Sequence, residues 1–408
     1  MTISETRFEK ISVKHFRRLC EVDLELRPLT VMIGANGTGK TSLLDVFSLL
    51  ASSAQGSLSK TISDFSGLSA LITYDRAEDL SLGISMGVQG HAPLEYKLRI
   101  KPQGSAYLID EEVLSQQLYG TLSPFNHIES RGSDVRYFGI AQPGSVRPTW
   151  EHNPLETSVP EEIRHYLMRP TWEHNPLETS LYQVPKMHRE PEDFRRRLAS
   201  STFYHSLNEE PRSPVRLPQP MRPAPLPGRD GEDLVSCLYS MREADRDRFE
   251  IVEDSLRAAY PAFERLDFPP VAAGTLAMTW RDKNFSKPFY MNQLSEGMLR
   301  FLWLATLLAS PGLTAITLLD EPEVSLHPEL LSLLAGLLRE AANRTQLIVA
   351  THSDRLVRFL KPAEVVVIDS ADDGMAHFTW ADKMDLDEWL DEYTLDEVWR
   401  MGRMGGRA

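Results

Sequence analysis

The sequence predicts an α/β protein with a mixed sheet core, an antiparallel β subdomain and an inserted, mainly helical lobe. Three apolar stretches support the core: a short strand at 31–33 before a glycine-rich loop, a buried strand at 316–319, and another at 346–351. Helical segments at 42–50 and 329–343 separate these strands. Buried strands that alternate with helices are typical of this fold class.

The stretch 34–41 reads Gly-Ala-Asn-Gly-Thr-Gly-Lys-Thr and fits G-x-x-x-x-G-K-[ST], the phosphate-binding loop. Its glycines let the backbone approach phosphate oxygens, and the amides of the following helix attract an anion. Lys40 is expected to reach the β- and γ-phosphates, and Thr41 to ligate Mg²⁺. The flanking strand and helix disfavour a chance glycine-rich turn. The residues predicted to contact the nucleotide are Asn36, Gly37, Thr38, Gly39, Lys40, Thr41 and Ser42.

Composition limits the possible functions. The chain has 408 residues, enough for two or three domains or for one large α/β domain with an inserted lobe. Its net charge is −14, from 58 acidic and 44 basic residues. Proteins that bind nucleic acid through bulk charge have the opposite sign, so any DNA contact needs a local basic patch or a partner.

The sequence predicts neither a membrane protein nor a disulfide or zinc scaffold. Cys20 and Cys237 have no metal-ligand spacing, and a reducing cytoplasm is the simplest location. The N-terminus has no apolar signal core. The apolar stretch 301–319 is interrupted at 310–312, so a buried helix, a turn and a strand explain it better than a membrane span.

The N-terminal third predicts strands. Alternation over 8–26 predicts two strands joined by residues 14–19, and further alternation over 65–110 predicts an antiparallel sheet after the first helix. Phe16, Arg17 and Arg18 either approach the nucleotide or belong to a surface hairpin with a packed phenylalanine. Both interpretations stay open at this point.

The middle of the chain is irregular. Residues 147–158 recur letter for letter at 169–180, which we interpret as a local duplication on a surface excursion. His152 and His174, at matching places in the two copies, have no acidic or cysteine partners at metal spacing.

Two basic stretches follow. Residues 186–197 predict a basic helix, and 211–229, with seven prolines and four arginines, predict an extended segment. Either they form a nucleic-acid or partner surface, or they are a solvated helix and a linker. Helical periodicity returns over 233–260.

Three further motifs supply the remaining parts of a nucleotide site. Ser295 and Gly297 stand where an apolar helix begins, and a Ser-x-Gly at a helix N-terminus binds anions. The strand at 316 ends in Asp320, suited to Mg²⁺, and Glu321, suited to orient and deprotonate water. His352 ends the strand at 346 and can hydrogen-bond a γ-phosphate.

These motifs, in this order, resemble an ABC-type P-loop ATPase head of the RecF/SMC/OLD group, often labelled AAA-family ATPase. The C-terminal stretch 389–407 is similar to that of a stand-alone bacterial predicted-ATPase subgroup. No heptad insertion interrupts the chain and no acidic nuclease cluster follows His352, so an SMC-like arm and a fused TOPRIM nuclease are not expected. The resemblance assigns Walker A to 34–41, the signature to 294–298, Walker B to 316–320, the D-loop to 323–327 and the switch histidine to His352.

The signature and the Q-loop are the less regular parts of this resemblance. Glu296 and Met298 replace the third and fifth residues of the family's Leu-Ser-Gly-Gly-Gln. Gln183 is taken as the Q-loop glutamine that contacts the nucleotide, with Gln142 as its rival.

The resemblance implies an ATPase that uses ATP and Mg²⁺, with Lys40, Glu321 and His352 as catalytic residues and with Thr41 and Asp320 on the metal. It also implies a homodimer or higher even-numbered oligomer that sandwiches ATP and acts on DNA or a partner nuclease, in DNA repair or anti-phage defence. The alternative is an ATP-gated scaffold that restrains an effector with little turnover. A transporter subunit fits less well, because of the N-terminal strands, the inserted lobe and the tail.

The domain boundaries predicted from these patterns place the two halves of the head at 1–125 and 266–380. An inserted lobe is expected at 126–265 and a helical tail at 381–408.

Overall fold

The computed structural model describes residues 6–73, 77–104, 106–132, 134–140, 165–168, 174–272, 274–370 and 374–405. The chain divides into two compact units. The first, here called the core unit, comprises Arg27–Leu44 and Ser201–Ala408. The second, here called the sheet unit, comprises Thr2–Leu26 and Asp45–Ser200.

Strands occur along the whole described chain. Their bounds are β1 (Phe8–Phe16), β2 (Leu19–Glu25), β3 (Leu29–Gly34), β4 (Leu80–Val88), β5 (His91–Gln103), β6 (Ala106–Gln116), β7 (Phe125–Arg131), β8 (Asp134–Ile140), β9 (His165–Met168), β10 (Thr202–Tyr204), β11 (Gln219–Pro220), β12 (Phe263–Asp267), β13 (Pro270–Ala272), β14 (Thr275–Leu276), β15 (Thr279–Asp282), β16 (Phe289–Tyr290), β17 (Ile316–Asp320), β18 (Gln346–Ala350), β19 (Val365–Ser370) and β20 (Ala376–Trp380).

The α-helices of the described residues are between four and sixteen residues long. Their bounds are α1 (Lys40–Gln55), α2 (Leu58–Asp64), α3 (Arg189–Ala199), α4 (Leu234–Ala244), α5 (Arg246–Ala259), α6 (Glu296–Ala309), α7 (Leu331–Ala341), α8 (Asp354–Val357), α9 (Asp387–Leu390) and α10 (Leu395–Arg400).

The core unit is built on a six-stranded sheet in the order β10-β17-β18-β3-β19-β20. The first five strands pair in parallel, and β20 is antiparallel to β19. Every residue of β3 and of β18 is buried, which explains their near-continuous apolar sequences. Because the strands are parallel, the segments after β3, β10, β17 and β18 leave the sheet at one edge, where ligands of such sheets bind.

Helix α6 lies in the core of this unit. All its residues from Leu299 to Ala309 are buried, and the charged one among them, Arg300, pairs with Glu209 at 2.8 Å. It ends at Ala309 and β17 begins at Ile316, which confirms the predicted helix, turn and strand. Among the described residues, no helix is both long and apolar enough to cross a membrane.

The sheet unit contains an eight-stranded antiparallel sheet in the order β2-β1-β4-β5-β6-β7-β8-β9. The antiparallel subdomain is therefore confirmed, and it is larger than the stretch 65–110 in which it was predicted. Phe16, at the end of β1, is fully buried, and Arg17 Nη1 donates to Asp45 Oδ2 at 2.5 Å. These contacts favour the hairpin with a packed phenylalanine over an approach to the nucleotide.

The predicted inserted lobe at 126–265 is not one body, and this boundary needs correction. Strands β7, β8 and β9 extend the antiparallel sheet, and α3 belongs to the same unit. From Ser201 onward the chain belongs to the core unit, where β10 pairs with β17. The predicted helices do form, as α3, α4 and α5, but they are divided between the two units. The first copy of the duplicated segment, 147–158, lies outside the described residues.

Candidate functional site

The phosphate loop connects β3 to α1. Gly34 ends the strand with φ +155°, and a Cβ there would lie 2.3 Å from the carbonyl oxygen of Ile368. Gly39, immediately before the helix, has φ +118°, which side chains rarely adopt. Both glycines are therefore required by the backbone itself. Asn36, Gly37 and Thr41 are exposed, so the loop presents its polar face to solvent.

Lys40 lies beneath this loop and is 4% exposed. Its Nζ donates to the carbonyl oxygens of Gly34 at 2.6 Å and of Ala35 at 2.8 Å. Burial lowers the pKa of Lys40 to about 8, and the charges of Glu321 and Asp320 oppose this shift. In the part of the chain that the structure describes, the ammonium group thus donates to carbonyl oxygens, and a phosphate oxygen is a better acceptor for it.

Walker B ends at the same edge of the sheet. Asp320 closes β17, and Glu321 follows with φ +49°, in the left-handed region that costs a non-glycine residue about 1–2 kcal/mol. The N–H of Glu321 donates to the carbonyl oxygen of Ala350 in the neighbouring strand at 2.8 Å. This bond fixes the direction in which the Glu321 side chain leaves the backbone.

His352 follows β18, two residues after the strand ends. Its Nε2 lies 3.5 Å from Glu321 Oε1, so the predicted base and the predicted switch residue are neighbours. Burial lowers the pKa of His352, and the positive charge of Lys40 adds to this effect, while Glu321 opposes it. A neutral imidazole at this place can act as donor or acceptor toward a phosphate.

The residues at this edge fit Mg²⁺ bound together with a nucleotide. Thr41 lies exposed in the first turn of α1, and Asp320 supplies a carboxylate at the end of β17. The described residues contain no group of three or more His, Cys, Asp or Glu side chains that could hold a metal alone. Mg²⁺ in nucleotide sites takes one or two protein oxygens and completes its shell with phosphates and water.

The signature segment lies at the start of α6. Ser295 is the N-cap of the helix, and its hydroxyl accepts from the N–H of Met298 at 3.3 Å. Gly297 packs so closely on the D-loop that a Cβ there would lie 2.8 Å from the carbonyl oxygen of Ser325. A side chain at position 297 would therefore push these two segments apart.

A cavity of about 650 Å³ opens between the signature and the D-loop. In the described part of the chain its lining includes Ser295, Gly297, Ser325 and His327 but no residue of the phosphate loop. The structure thus gathers the predicted site residues into two groups. Lys40, Asp320, Glu321 and His352 lie at the sheet edge, whereas the signature residues line a separate cavity.

Gln183, predicted as the Q-loop residue, lies in the sheet unit and is engaged locally. Its side-chain oxygen accepts from the N–H of Asn175 at 2.8 Å, and its amide donates to the carbonyl oxygen of Asn175 at 3.1 Å. The same nitrogen lies 3.1 Å from His174 Nε2. These contacts stabilise the turn at 174–183, so a nucleotide contact of Gln183 stays a prediction. The rival Gln142 and the first-copy His152 lie outside the described residues.

His205 is a residue at this edge that the sequence analysis missed. It follows β10, the strand beside β17, and its Nδ1 lies 3.9 Å from Asp320 Oδ2. Its ring packs on Phe203, with ring centroids 4.0 Å apart. A strand of three residues is too short to show a period, so its end could not be recognised from the pattern.

The basic stretch 186–197 forms helix α3, and three of its arginines have acidic partners on the same helix. Arg195 pairs with Glu192, and both Arg196 and Arg197 pair with Asp193. The pairs of Arg196 and Arg197 are those of a solvated helix face. The pair of Arg195 is less exposed, and Arg195 also donates to the carbonyl oxygen of Ala54 at 3.3 Å.

The proline-rich stretch 211–229 contains a 3₁₀ turn at Pro214–Arg216 and the two-residue strand β11, so it is not extended throughout. Two of its arginines are engaged within the core unit. Arg216 Nη1 donates to the carbonyl oxygen of Leu294, in the signature, at 2.9 Å. Arg222 pairs with Asp233 at 2.7 Å. For these arginines the structure therefore favours a linker over a nucleic-acid or partner surface.

Comparisons with known proteins agree with this architecture. The chain is similar to an SMC head bound to the C-terminal winged-helix domain of ScpA, with 15% identity and a TM-score of 0.52, covering 91% of this chain and 97% of that one. It is also similar to an SMC head with an extended coiled coil bound to the C-terminal domain of ScpA, derived from Pyrococcus furiosus. That match has 13% identity and a TM-score of 0.51, covering 98% of this chain and 99% of the other.

At these identities the likeness shows the fold, which is that of an ABC-type ATPase head. Among curated proteins, none matches the sequence. The family model described as "AAA domain, putative AbiEii toxin, Type IV TA system" matches residues 29–358, which is most of the chain. The chain therefore belongs to this AAA domain family.

Proposed function

We propose that the protein binds ATP with Mg²⁺ at the carboxyl edge of the core sheet and hydrolyses it to ADP and phosphate. The observation that carries this proposal is the arrangement of Lys40, Glu321 and His352. A buried lysine under a phosphate loop lies within the electrostatic reach of Glu321, which lies 3.5 Å from His352. Membership of the AAA domain family and the fold of an ABC-type ATPase head support ATP hydrolysis as the activity.

Each residue then has one task. Lys40 and the loop amides hold the phosphates, while Thr41 and Asp320 hold Mg²⁺, which supplies charge neutralisation on the phosphate oxygens. Glu321 orients and deprotonates the attacking water, and His352 contacts the γ-phosphate. Catalysis of this type consists mainly of positioning and charge stabilisation.

We further propose that the working form is a homodimer, or a higher even-numbered oligomer, that sandwiches ATP. Support comes from the separation of the two groups of residues within one chain. Ser295 and Gly297 line a cavity whose walls, in the described residues, contain none of the phosphate loop. A twofold pairing would bring the signature of each copy to the phosphate loop of the other.

The output of this cycle is proposed to be a change of shape that acts on DNA or on a partner such as a nuclease. DNA repair or anti-phage defence in a reducing cytoplasm is the setting we favour. The similar SMC heads were solved with bound domains of ScpA, which supports a partner-binding role for this fold. Two free cysteines, of which Cys237 is buried, are compatible with a reducing compartment.

The substitution Glu321→Gln tests the role of the base. It should keep ATP binding, accumulate the ATP-bound dimer, and lower kcat about 100-fold or more, since general bases contribute about 10²–10⁴. Phosphate release with and without DNA gives the rate, and Glu340→Gln, an exposed carboxylate on α7, is the matched control. A normal rate in Glu321→Gln would refute the assignment.

The scaffold alternative makes a different prediction for the wild-type protein. It requires ATP-dependent assembly with negligible phosphate release under all conditions, and an unchanged assembly in Glu321→Gln.

A further inference from the structure

The carboxyl group of Glu323 connects the D-loop to the residues that follow β18. Glu323 Oε1 accepts from the Thr351 hydroxyl at 2.5 Å and from the backbone N–H of His352 at 3.3 Å. The other oxygen, Oε2, is buried and has no hydrogen-bond partner among the described residues. One oxygen of the Glu323 carboxyl group therefore accepts two hydrogen bonds from the segment that follows β18, and the other oxygen is buried.

The contacts continue from Glu323 to the catalytic residues. His352, whose N–H is held, places its ring 3.5 Å from Glu321. The Thr351 hydroxyl in turn accepts from the N–H of Ser353 at 3.0 Å. The backbone around the predicted γ-phosphate contact is therefore fixed through one carboxyl oxygen.

The contacts also continue in the other direction, toward the cavity. The carbonyl oxygen of Glu323 accepts from the N–H of Leu326 at 3.0 Å, which closes the D-loop into a turn. Ser325 in this turn has φ +63° and packs against Gly297 of the signature. A shift of the signature or of anything seated in the cavity must move this turn, and with it Glu323.

We propose that Glu323 is a positioning residue that transmits the state of the signature and D-loop cavity to His352. This inference rests on the proposed function, because it assumes a γ-phosphate contact for His352. In this role the carboxyl acts through an acceptor oxygen and needs no negative charge.

The direction of the pKa shift of Glu323 agrees with a role that needs no negative charge. Burial raises the pKa of Glu323, while the Thr351 hydroxyl and backbone N–H groups oppose the shift and the negative charge of Glu321 adds to it. A glutamine would keep the acceptor oxygen toward Thr351 and His352 without a charge. An alanine would remove it and leave the Thr351 hydroxyl without its acceptor.

The test is a double-mutant cycle between Glu323→Ala and His352→Ala, with Glu323→Gln as the conservative variant. The readout is the ratio of the Kd for ADP to the Kd for a non-hydrolysable ATP analogue, which measures recognition of the γ-phosphate without turnover. We expect each alanine variant to lower this ratio about tenfold, and the double variant to lower it no further, since residues that act through one another are not additive. Glu323→Gln should retain most of the ratio.

The matched control is Glu364→Ala, which removes a partly buried carboxylate that pairs with Arg339 in the same unit. It should leave the ratio unchanged. Should Glu323→Ala fail to fold, Thr351→Val, which replaces the hydroxyl with a methyl group, takes its place in the cycle.

Additive losses in the double variant would overturn the proposal, and so would a Glu323→Gln variant as impaired as Glu323→Ala. A wild-type protein that binds ATP but shows no preference for the γ-phosphate would overturn it as well. A wild-type protein that binds no nucleotide would instead refute the proposed ATP site itself.

Discussion

His205 and Gln183 differ in what surrounds their side chains. His205 lies 3.9 Å from Asp320 at the ligand-binding edge, whereas Gln183 holds its own turn through Asn175. Of the two, we expect His205 to contact water or phosphate near the proposed Mg²⁺ site.

We predict that His205→Ala weakens Mg²⁺-ATP binding about tenfold to a hundredfold, the loss expected for one hydrogen bond to a charged group. Gln183→Ala should leave this affinity unchanged. Isothermal titration of both variants measures the effect, with thermal unfolding as the control for folding. The opposite order of effects would restore Gln183 as the nucleotide contact.

Backbone strain at Glu321 yields a prediction about stability. A residue at φ +49° is relieved of steric cost when it becomes glycine but not when it becomes alanine. Glu321→Gly should therefore be more stable than Glu321→Ala by about 1 kcal/mol, although both lack the proposed base. Urea unfolding of the pair measures the difference, and an alanine variant at least as stable as the glycine variant would contradict the strain.

At the scale of elements, helix α4 packs its thiol into the core. Cys237 is fully buried, and burial raises its pKa to about 11. At pH 8 the thiolate, which is the reactive form, is therefore scarce as well as inaccessible. Cys20, on β2, is only half-buried.

We predict that iodoacetamide at pH 8 modifies Cys20 alone in the native protein, and both cysteines in urea. Mass spectrometry of the labelled peptides checks this, and a Cys20→Ser variant should stay unlabelled under native conditions. Native labelling of Cys237 would show that α4 is not packed as described.

The elements that the sequence predicted well are those whose apolar runs are continuous. Strands β3, β17 and β18 are buried on both faces, so their continuous apolar sequences identify them as strands. The candidate site residues lie at their carboxyl ends. The phosphate loop adds a motif with fixed spacing. These two features sufficed to find Lys40, Asp320, Glu321 and His352.

The other parts of the fold and of the candidate site depend on tertiary contacts, which the sequence pattern does not predict. Strand β10 has three residues, so His205 had no visible strand to end. The alternation of β7 and β8 is short and includes charged residues, so the pattern predicts an antiparallel sheet over 65–110 and misses these two strands. Glu323 lies in a turn whose amino-acid sequence is typical of a surface loop. The burial of its carboxyl group is recognised only from the contact with Thr351.

At the scale of the whole molecule, the proposed nucleotide site is completed by a second copy of the chain. Lys40 lies in one group of residues and Ser295 in the other, and the proposed dimer would join the Lys40 of one copy to the Ser295 of its partner. Two variants, each defective in one group, are therefore expected to complement each other.

Mixing Lys40→Ala with Ser295→Arg tests this claim most directly. Each variant alone should release almost no phosphate, because both of its sites lack one half. In the mixture, heterodimers contain one site with an intact Lys40 facing an intact Ser295, so phosphate release should reappear in proportion to heterodimer formation. A mixture as inactive as its components, under conditions in which the wild type is active, would contradict the shared site.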